Sequence, residues 1–440
     1  MRTVKAFAAQ AMHYDYNMAP DTYVPLKRLF AAVALDGLLD RDRHERAVRE
    51  IVNTHESLRT CPVKVDGEVV QQIRELKEID EPVLVTIDWD GTGAAISRLK
   101  HDLDDWWANP RQLAIRAVLA SAPHGKAYLL CAFNGACLDG TSAHLVLEQI
   151  RACYGGRSAP NSPVQFTDYY NEKIELGLAE TYDDWLRFID RAVPALSAEM
   201  STQRELTARA RIKIAPFDLQ PKELSVIDTL RRTYSCTRFE ALAVSTELFF
   251  RRDDAGPVGV GITHSGRRGR QALEVAGLLR SQVIDLVESH ANLTAGDAFR
   301  AQLEGLRTKL HHLARLPMEE VCARAGLPGG LRVGEQRLWE VAIVSRISRF
   351  PTGNFGEALI ESVDAPMRND WYCENGGSTL RFNYSIQRTQ VTGSLQYVNP
   401  PVDDARAAAV IEGVQRMITF IGADSFARIG SAPALHRLVS

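Results

Sequence analysis

Several residues whose types could do chemistry lie in or just after one loop, F-N-G-A-C-L-D-G at 133–140. The loop follows the apolar run KAYLLCAF and precedes TSAHLVLEQIRACY, so we expect a strand, a turn at the D-G pair and then a helix. Its ionisable groups are Cys137, Asp139 and, one turn into the helix, His144. The first half of the loop, which includes Asn134, has no group that can move a proton.

Each candidate has a chemical and a structural interpretation. His144 could be a general base or an ordinary partly buried histidine, and the same two interpretations apply to His264 in the turn T-H-S-G-R-R. Cys137 lies near a helix N-terminus, which could lower its thiol pKa and make it a nucleophile, but we expect a packing thiol. Asn134 could donate a hydrogen bond to an oxyanion and cannot act as a base.

The segments around the loop predict a mixed α/β lobe. Residues 30–36 have the pattern of a buried strand, Asp40 is placed to begin a helix, and Asp66-Gly67 marks a hairpin. Residues 111–121 alternate with period two, which predicts a half-buried strand. The Gly-, Ser- and Pro-rich stretch 155–165 is typical of a connection, so we divide the chain into lobes 1–165 and 166–440.

The second half has a similar mixture of elements. We expect helices at 182–189 and 239–250, strands in VGVGITH, WEVAIVSRIS, LRFNYSIQ and GSLQYVN, and a closing amphipathic helix over 403–421. The predicted inner face of that helix comprises Ala407, Val410, Ile411, Val414, Met417 and Ile418. Two α/β lobes of similar plan are therefore the predicted fold class.

Composition excludes several classes of protein. The 440 residues are 45% hydrophobic and 24% charged, as in a globular protein, and the net charge of −3 argues against nucleic-acid binding. The seven cysteines include no C-x-x-C pair, which indicates free thiols and gives no reason to expect a metal. We find no signal peptide and no apolar run near ~20 residues, so we expect a cytoplasmic protein that does not span a membrane.

Six segments, taken in order, resemble the condensation domains of nonribosomal peptide synthetases and the related coenzyme A-dependent acyltransferases. N-G-A-C-L-D-G-T-S lies where that family has H-H-x-x-x-D-G-x-S, and T-H-E-S-L-R-T at 54–60 is similar to its R-H-E-x-L-R-T. The other four are FTDYYNEK, GVGITHSGRR, EVAGLLRSQVIDLV and LQYVNPPVDDARAAAVIEGV. A seventh, IVSRISRFPTGNFGEAL, resembles a strand and loop of the stand-alone acyltransferase branch, and we expect a stand-alone member.

The resemblance implies two chloramphenicol-acetyltransferase-like lobes in a V-shaped pseudo-dimer with a central tunnel. It implies no bound cofactor. The expected co-substrate is a phosphopantetheine-linked or coenzyme A thioester, and the expected partners are an acyl or peptidyl carrier protein and a small-molecule acceptor. In the family the second histidine of the motif positions or deprotonates the acceptor, and here Gly135 occupies its place, after Asn134.

Other motif positions receive roles by the same resemblance. Asp139 and Arg59 correspond to a structural ion pair, with Gly140 in the turn between strand and helix. Gly135, Cys137, Ser142 and Ser281 lie at positions where we expect substrate contacts. The cluster Arg267, Arg268 and Arg270 either faces a pantetheine phosphate or is a solvated turn.

Three functions remain open from the sequence. The leading one is a condensation or acyltransferase-like enzyme of nonribosomal peptide or polyketide biosynthesis that works without the usual histidine, aided by proximity. The second is a different reaction, such as cyclisation or elimination, in which His144 or His264 acts. The third is a non-catalytic module that recruits a carrier protein or a tailoring enzyme. Loss of the histidine favours the second and third, whereas retention of Asp139 and Arg59 favours a tunnel still in use.

Overall fold

The fold is described from a computed structural model of the chain. The residues that the structure describes are 1–18, 28–37, 39–79, 82–88, 113–121, 125–160, 164–200, 211–253, 256–327, 332–333, 336–337, 341–346, 354–355, 357–362, 380–399 and 402–434. The sequence also predicts that Trp106 and Trp107 pack on the lobe surface, but this pair and the centre of the segment IVSRISRFPTGNFGEAL lie outside the described residues.

Helices and strands alternate along the described chain. The helices are α1 (Ala8–Met18), α2 (Arg41–Thr54), α3 (Gly140–Tyr154), α4 (Phe166–Met200), α5 (Pro221–Thr233), α6 (Arg238–Phe250), α7 (Gly269–Ala272), α8 (Ala295–His312), α9 (Met318–Arg324) and α10 (Asp404–Ala423). The strands are β1 (Arg2–Lys5), β2 (Arg28–Asp36), β3 (Thr60–Val65), β4 (Glu68–Ile73), β5 (Leu84–Asp88), β6 (Ile115–Ser121), β7 (Lys126–Asn134), β8 (Arg211–Asp218), β9 (Val258–His264), β10 (Ser281–Val287), β11 (Arg332–Val333), β12 (Gln336–Arg337), β13 (Val341–Arg346), β14 (Asn354–Phe355), β15 (Ala358–Ser362), β16 (Leu380–Ile386) and β17 (Val391–Asn399).

The chain divides into two compact units, and neither is one continuous stretch. Unit 1 comprises 1–173, 267–280 and 349–374, and unit 2 comprises 174–266, 281–348 and 375–440. The predicted lobe boundary at residue 165 lies shortly before the first change of unit. The segment 267–280 belongs to unit 1 although β9 and β10, the strands on either side of it, belong to unit 2.

Unit 1 is built on a six-stranded sheet in the order β14-β15-β2-β7-β6-β5, with a smaller sheet β1-β4-β3 beside it. The pairing of β5 with β6 is parallel and the other pairings of the large sheet are antiparallel. The apolar faces of α2 and α3 pack into one core with this sheet, and the shared members include Ile51, Leu147, Leu129 and Phe133. The strand β7 therefore carries its C-terminal loop directly out of the core.

Unit 2 has a second six-stranded sheet, in the order β10-β9-β13-β16-β17-β8. β13 lies parallel to β9 and to β16, and the remaining pairs are antiparallel. The closing helix α10 begins at the N-cap Asp403, whose side chain accepts from the Arg406 amide. The predicted inner face is buried except for Ile411, which is half-buried. The predicted pair of mixed α/β lobes is confirmed.

Two local predictions are confirmed and two need correction. Asp40 caps α2, and the hairpin between β3 and β4 turns at Asp66 and Gly67, both with positive φ as a tight hairpin turn requires. The strand predicted as half-buried over 111–121 is β6, whose side chains on both faces of the sheet are mostly buried. The helix predicted at 182–189 is a small part of α4, and α5 and α8 were not predicted at all.

Candidate functional site

The loop after β7 is organised by its own side chains. The Oδ1 atom of Asn134 accepts a hydrogen bond from the Ala136 amide at 2.9 Å, and the Asn134 carbonyl accepts from the Cys137 and Leu138 amides at 2.9 and 3.0 Å. Asp139 then caps α3, with its Oδ1 atom accepting from the Ser142 amide at 2.8 Å. The side-chain oxygen of Asn134 is therefore already used in forming the turn.

Asp139 is held by a buried arginine, but the arginine is Arg267. The Oδ2 atom of Asp139 accepts from Arg267 Nη1 at 2.7 Å and from the backbone amides of Leu279 and Arg280 at 2.9 and 3.0 Å. Both side chains of the ion pair are 1% exposed. Burial alone would raise the pKa of Asp139, but the charge and hydrogen bonds of Arg267 and the backbone amides outweigh it, so the pKa lies below its ordinary value.

The predicted ion pair between Asp139 and Arg59 is therefore wrong. Arg59 donates to backbone carbonyls instead, with its Nε atom 3.0 Å from the Val52 oxygen and its Nη2 atom 3.3 Å from the Asn53 oxygen, and it also bonds the Arg74 carbonyl. It thereby joins the end of α2 to the residue after β4. Its role is structural, as predicted, but on a different part of unit 1.

His55 and Glu56 of T-H-E-S-L-R-T, four and three residues before Arg59, are not among the residues that the sequence analysis identifies, and both fix helices. His55 Nε2 lies 2.6 Å from Gln149 Oε1 on α3. Glu56 is buried, and its Oε1 atom accepts from the Thr167 amide at 2.9 Å, which satisfies a donor at the start of α4. Its other oxygen pairs with Arg2 on β1. The motif is a structural junction in unit 1.

Ser142 has a structural role that corrects the predicted substrate contact. Its hydroxyl donates to the Gly277 carbonyl at 2.7 Å and accepts from the Gly277 amide at 2.8 Å and from Arg267 Nη2 at 2.7 Å. The side chain is fully buried. All the hydrogen-bonding capacity of the hydroxyl is used inside unit 1.

Gly277 is a further residue of this network that sequence reasoning did not identify. A Cβ atom at this position would lie 2.1 Å from Cδ2 of Phe166, so only glycine fits. Phe166 packs in turn against Phe7 and Tyr170, with ring centroids 5.4 and 5.3 Å apart. The segment 267–280 is thus seated on Asp139 and Ser142 on one side and on this aromatic cluster on the other.

Cys137 packs in the core of unit 1 and is 0% exposed. Its thiol lies 3.4 Å from the Thr60 carbonyl, to which it donates. Burial, and then the neighbouring thiol of Cys61, raise the pKa of Cys137 well above its ordinary value. The packing interpretation is therefore the correct one, and the nucleophile and the predicted substrate contact are not supported.

Gly140 does not have the turn role predicted for it. It is exposed at the first position of α3, its φ is not positive, and a Cβ atom built on it would meet nothing within 4 Å. The chain turns into the helix through the extended backbone of Asp139, at φ −109° and ψ 175°. Gly135, by contrast, is buried.

His144 is the nearest imidazole to the loop along the chain. It lies half-buried on α3, one turn before Glu148. Burial lowers the pKa of His144, and the charge of Glu148 opposes that effect without cancelling it. The imidazole is therefore neutral near pH 7, which is the form that a general base requires.

The other two predicted site residues, His264 and Ser281, lie in unit 2, directly opposite each other on β9 and β10. His264 is half-buried, and its Nδ1 atom accepts from the Gly266 amide at 3.2 Å. The Ser281 hydroxyl donates to Glu319 Oε2 at 2.8 Å and accepts from the Met318 amide at 3.3 Å, at the start of α9. Ser281 therefore has a structural role in place of the predicted substrate contact.

The arginine cluster divides in the structure. Arg267 is buried in its pair with Asp139, so it neither faces a phosphate nor lies in a solvated turn. Arg268 and Arg270 are exposed on the segment 267–280. The sequence does not show which of the three arginines is buried, because all three lie within four residues of the same turn.

Unit 2 contains a buried ionisable cluster that was also not predicted. Gln302 Nε2 donates to Glu247 Oε2 at 3.2 Å and to Asp285 Oδ2 at 3.1 Å, and Lys309 pairs with Asp285. Both carboxyl groups are 0% exposed. Burial and then the charge of Asp285 raise the pKa of Glu247 well above its ordinary value, and burial also raises that of Asp285. The signal in the sequence is a single acid within each of the apolar runs ALAVSTELFF and SQVIDLV.

The described residues provide neither a membrane-spanning helix nor a cluster of metal ligands. No described helix combines the length and the apolar character needed to cross a membrane. The described residues contain no group of three or more His, Cys, Asp and Glu side chains placed to hold a metal ion.

The chain is similar to segments of large peptide synthetases. It is 25% identical over 254 residues to bacitracin synthase 3 of Bacillus licheniformis and 24% identical over 276 residues to tyrocidine synthase 3 of Brevibacillus parabrevis. These matches cover 56% and 62% of the chain but only 4% of each synthetase. The chain thus corresponds to a small part of these relatives.

Solved structures of single domains match over nearly the whole chain. The condensation domain of the monacolin K polyketide synthase MokA superposes with a TM-score of 0.73 at 13% identity, covering 98% of this chain and 99% of that one. The X-domain from teicoplanin biosynthesis gives a TM-score of 0.73 at 18% identity, with 98% of each chain covered. The same X-domain in complex with OxyB gives 0.70 at 17% identity, covering 98% of this chain and 96% of that one.

These structural likenesses establish the fold of the chain. The family model that matches is the condensation domain, over residues 29–328, a span that contains the loop after β7, the segment 267–280 and both predicted histidines. The chain belongs to the condensation domain family.

Proposed function

We propose that this chain is a condensation-family domain of nonribosomal peptide or polyketide assembly that binds a carrier protein or recruits a tailoring enzyme and does not perform histidine-dependent acyl transfer. One observation carries the proposal. Gly135 occupies the position of the second motif histidine, and the polar side chains that follow it, Asp139 and Ser142, are buried and fully used in the structural network with Arg267.

The loop after β7 has no side chain that can act as a general base near pH 7. Over residues 134–142 the ionisable groups are Cys137 and Asp139. Asp139 is a carboxylate with a lowered pKa in an ion pair, and Cys137 is a thiol with a raised pKa in the core, so neither accepts a proton near pH 7. The network of Asp139, Ser142 and Arg267 that positions the loop is present, but position 135 has no imidazole to accept a proton.

A recruiting role is supported by the likeness to the X-domain, which is itself described in complex with OxyB in teicoplanin biosynthesis. That complex is a property of the X-domain. For this chain it supplies the precedent that a condensation-type fold serves as a docking module, and the retained network around Asp139 is what a docking module needs to stay folded.

A second candidate, acyl transfer with a relocated base, is favoured by His144. Its imidazole is half-buried and its pKa is lowered by burial, so it is neutral and able to accept a proton at pH 7. Proximity alone contributes much of the rate in favourable bound pairs, and a basic amine attacking a thioester needs little further help. The same experiment separates the two candidates.

The test offers a phosphopantetheinylated peptidyl carrier protein loaded with an aminoacyl group, or acetyl-coenzyme A, to a panel of amines and alcohols. Product and carrier are read by intact mass. The variants are His144→Ala, His264→Ala and Gly135→His, and the control is His312→Ala, which removes an exposed imidazole at the end of α8. Carrier binding is measured in parallel by isothermal titration calorimetry.

We expect wild type to bind the loaded carrier and to transfer nothing above the reaction without protein. Transfer by Gly135→His alone would agree with this, because it restores the missing group to a site that still binds substrate. Transfer by wild type overturns the proposal, and its loss in His144→Ala but not in His312→Ala would establish the relocated base. If wild type neither transfers an acyl group nor binds the carrier protein, carrier binding is excluded as its role. Recruitment of a tailoring enzyme is then tested by the same titration.

A further inference from the structure

Two carboxyl groups, one amide and one amine meet in the core of unit 2, where α6, β10 and α8 pack together. Glu247 comes from α6, Asp285 from β10, and Gln302 and Lys309 from α8. Both carboxyl groups and the amide are buried, whereas the Lys309 side chain is 17% exposed. The cluster shares no hydrogen bond with the loop after β7 or with segment 267–280 in the described chain, so its chemistry is separate from the network around Asp139.

The cluster contains two acids and only one base. Lys309 forms its ion pair with Asp285, through the Oδ1 atom of that carboxylate. At Glu247 the charge of Asp285 repels more strongly than the charge of Lys309 attracts. A fully buried carboxyl group without a counter-charge of its own takes up a proton instead of remaining ionised.

The other described elements packed on α6 surround Glu247 with apolar or neutral buried groups. The buried side chains of α5 and α10 are apolar, and β16 presents the Tyr384 hydroxyl, which lies 2.7 Å from the Thr246 hydroxyl. β9 places Val260 opposite Asp285. The arginines nearest to α6 are held in ion pairs of their own, Arg238 with Asp228, Arg251 with Asp253 and Arg307 with Glu240.

The hydrogen bonds indicate where the proton lies. Gln302 Nε2 uses both of its hydrogens, on Glu247 Oε2 and on Asp285 Oδ2, and Gln302 Oε1 accepts from His290 Nε2 at 3.3 Å. Among the described residues no group donates to Glu247 Oε1, although this oxygen is buried. The Asp285 carboxyl is the hydrogen-bond neighbour of Glu247, and two carboxyl groups can bond each other only through a proton, since two carboxylates are both acceptors.

We propose that Glu247 and Asp285 share one proton in the folded chain, and that this proton holds α8 against α6 and β10. The shared proton completes a chain of hydrogen bonds from His290 through Gln302 and the two carboxyl groups to Lys309. Its removal leaves two buried carboxylates beside one ammonium group, and their repulsion favours opening of the three elements. The device is in unit 2 and is independent of the proposed function, which rests on the loop of unit 1.

The direction of the pH effect follows from the change in proton affinity on folding. Burial and the charge of Asp285 raise the pKa of Glu247 well above its ordinary value. The stabilisation is therefore complete below the ordinary pKa, about 4.3, and decreases as pH rises toward the folded value. Opening releases one proton over this interval, so the open population should increase about tenfold for each pH unit.

The first test is amide hydrogen exchange of α6, α8 and β10 in the full chain from about pH 5.5 to about pH 8, corrected for the intrinsic effect of pH on exchange. Wild type should lose protection about tenfold for each pH unit, and Glu247→Gln, which has no proton to release, should show no such slope. The matched control is Glu240→Gln, because Glu240 joins the same two helices through Arg307 and its pKa is lowered. It should keep the wild-type slope, as should His290→Gln.

The second test is infrared spectroscopy at pH 7, which detects the C=O stretch of a protonated carboxyl group. Wild type should show this band, and Glu247→Gln should lack it. Asp285→Asn should also lack it, because Glu247 then becomes the carboxylate that pairs with Lys309. Circular dichroism confirms that each variant is folded.

The wild-type measurements alone can overturn the proposal, even if a variant does not fold. Wild type without the infrared band at pH 7, or without a pH slope in the three elements, excludes a shared proton. A slope that persists in Glu247→Gln, or that disappears in His290→Gln, assigns the titration to another group and also overturns the proposal. A band that remains in Asp285→Asn excludes sharing between the two carboxyl groups.

Discussion

Replacing Arg267 by methionine tests the corrected ion pair of unit 1. The change removes the guanidinium from Asp139 and Ser142 and leaves a carboxylate that is 1% exposed without its counter-charge. Loss of one partner from a buried pair destabilises by about 3–5 kcal/mol. The Ser142, Leu279 and Arg280 amides still donate to Asp139, so we expect the lower end, about 3 kcal/mol.

The measurement is amide hydrogen exchange of α3 and of residues 275–280, because a chain of two units does not unfold in one cooperative step. A loss of about 3 kcal/mol in the free energy of local opening corresponds to exchange about 100-fold faster. Asp139→Asn in the Arg267→Met background should restore part of the protection. The matched variant Arg59→Met loses backbone hydrogen bonds and should be additive with Asp139→Asn, since the two residues do not bond each other.

The result that refutes this reasoning is the reverse pattern, in which Asp139→Asn couples to Arg59→Met and is additive with Arg267→Met. The pH dependence of amide protection in α3 is a second test of the ion pair. A carboxyl whose pKa is depressed on folding adds stability above its unfolded pKa, and that stability is lost as pH falls through the folded value. Without Arg267, burial dominates and the pKa of Asp139 rises, so protonation at low pH removes the unpaired charge, and protection of α3 in the variant should increase as pH falls, whereas in wild type it decreases.

Two further outcomes follow from buried groups. Because the pKa of Glu247 is raised on folding by burial and by Asp285, its contribution to stability is complete below its unfolded pKa and is lost as pH rises above it. Glu247→Gln should remove this pH-dependent loss of protection in α6 and β10. Gly277→Ala should speed amide exchange of residues 275–280 by about tenfold or more because its Cβ meets the Phe166 ring, whereas Gly140→Ala, with open space around it, should leave that exchange unchanged.

Local signals in the sequence were sufficient for the elements that end at a cap or a tight turn. Asp40 and the Asp66-Gly67 hairpin were correctly placed because their conformations are fixed within a few residues. The helix α4 is longer than predicted because Gly177 and Thr181 occupy two buried positions and interrupt the apolar pattern on either side of them. For α5, the signals Pro221 at the first turn and Glu223 in a capping box were present and were not used.

The site was predictable in its position and not in its connections. The resemblance located the loop and the missing histidine, but two arginines, Arg59 and Arg267, could reach Asp139, and the choice depends on a contact across 128 residues. The same limit explains Ser142 and Ser281, which carry hydroxyl groups at motif positions. Ser142 bonds the Gly277 carbonyl and Ser281 bonds the Glu319 carboxylate, and no local sequence pattern predicts either partner.

The packing of segment 267–280 against unit 1 has a consequence for the folding of this chain during its translation. Asp139 leaves the ribosome 141 residues before the Arg280 amide that binds it, which is roughly 7 to 28 seconds at ordinary elongation rates of ~5–20 residues per second. During that interval the first 173 residues hold four of the six strands of the large sheet (β2, β5, β6 and β7) and the helices α1, α2 and α3, but they lack β14, β15 and the cation and amides that bind this carboxylate. Asp139, at the start of α3, therefore stays hydrated until residues 267–280 have been synthesised. If translation stops before residue 267, unit 1 remains incomplete and accessible to chaperones and proteases.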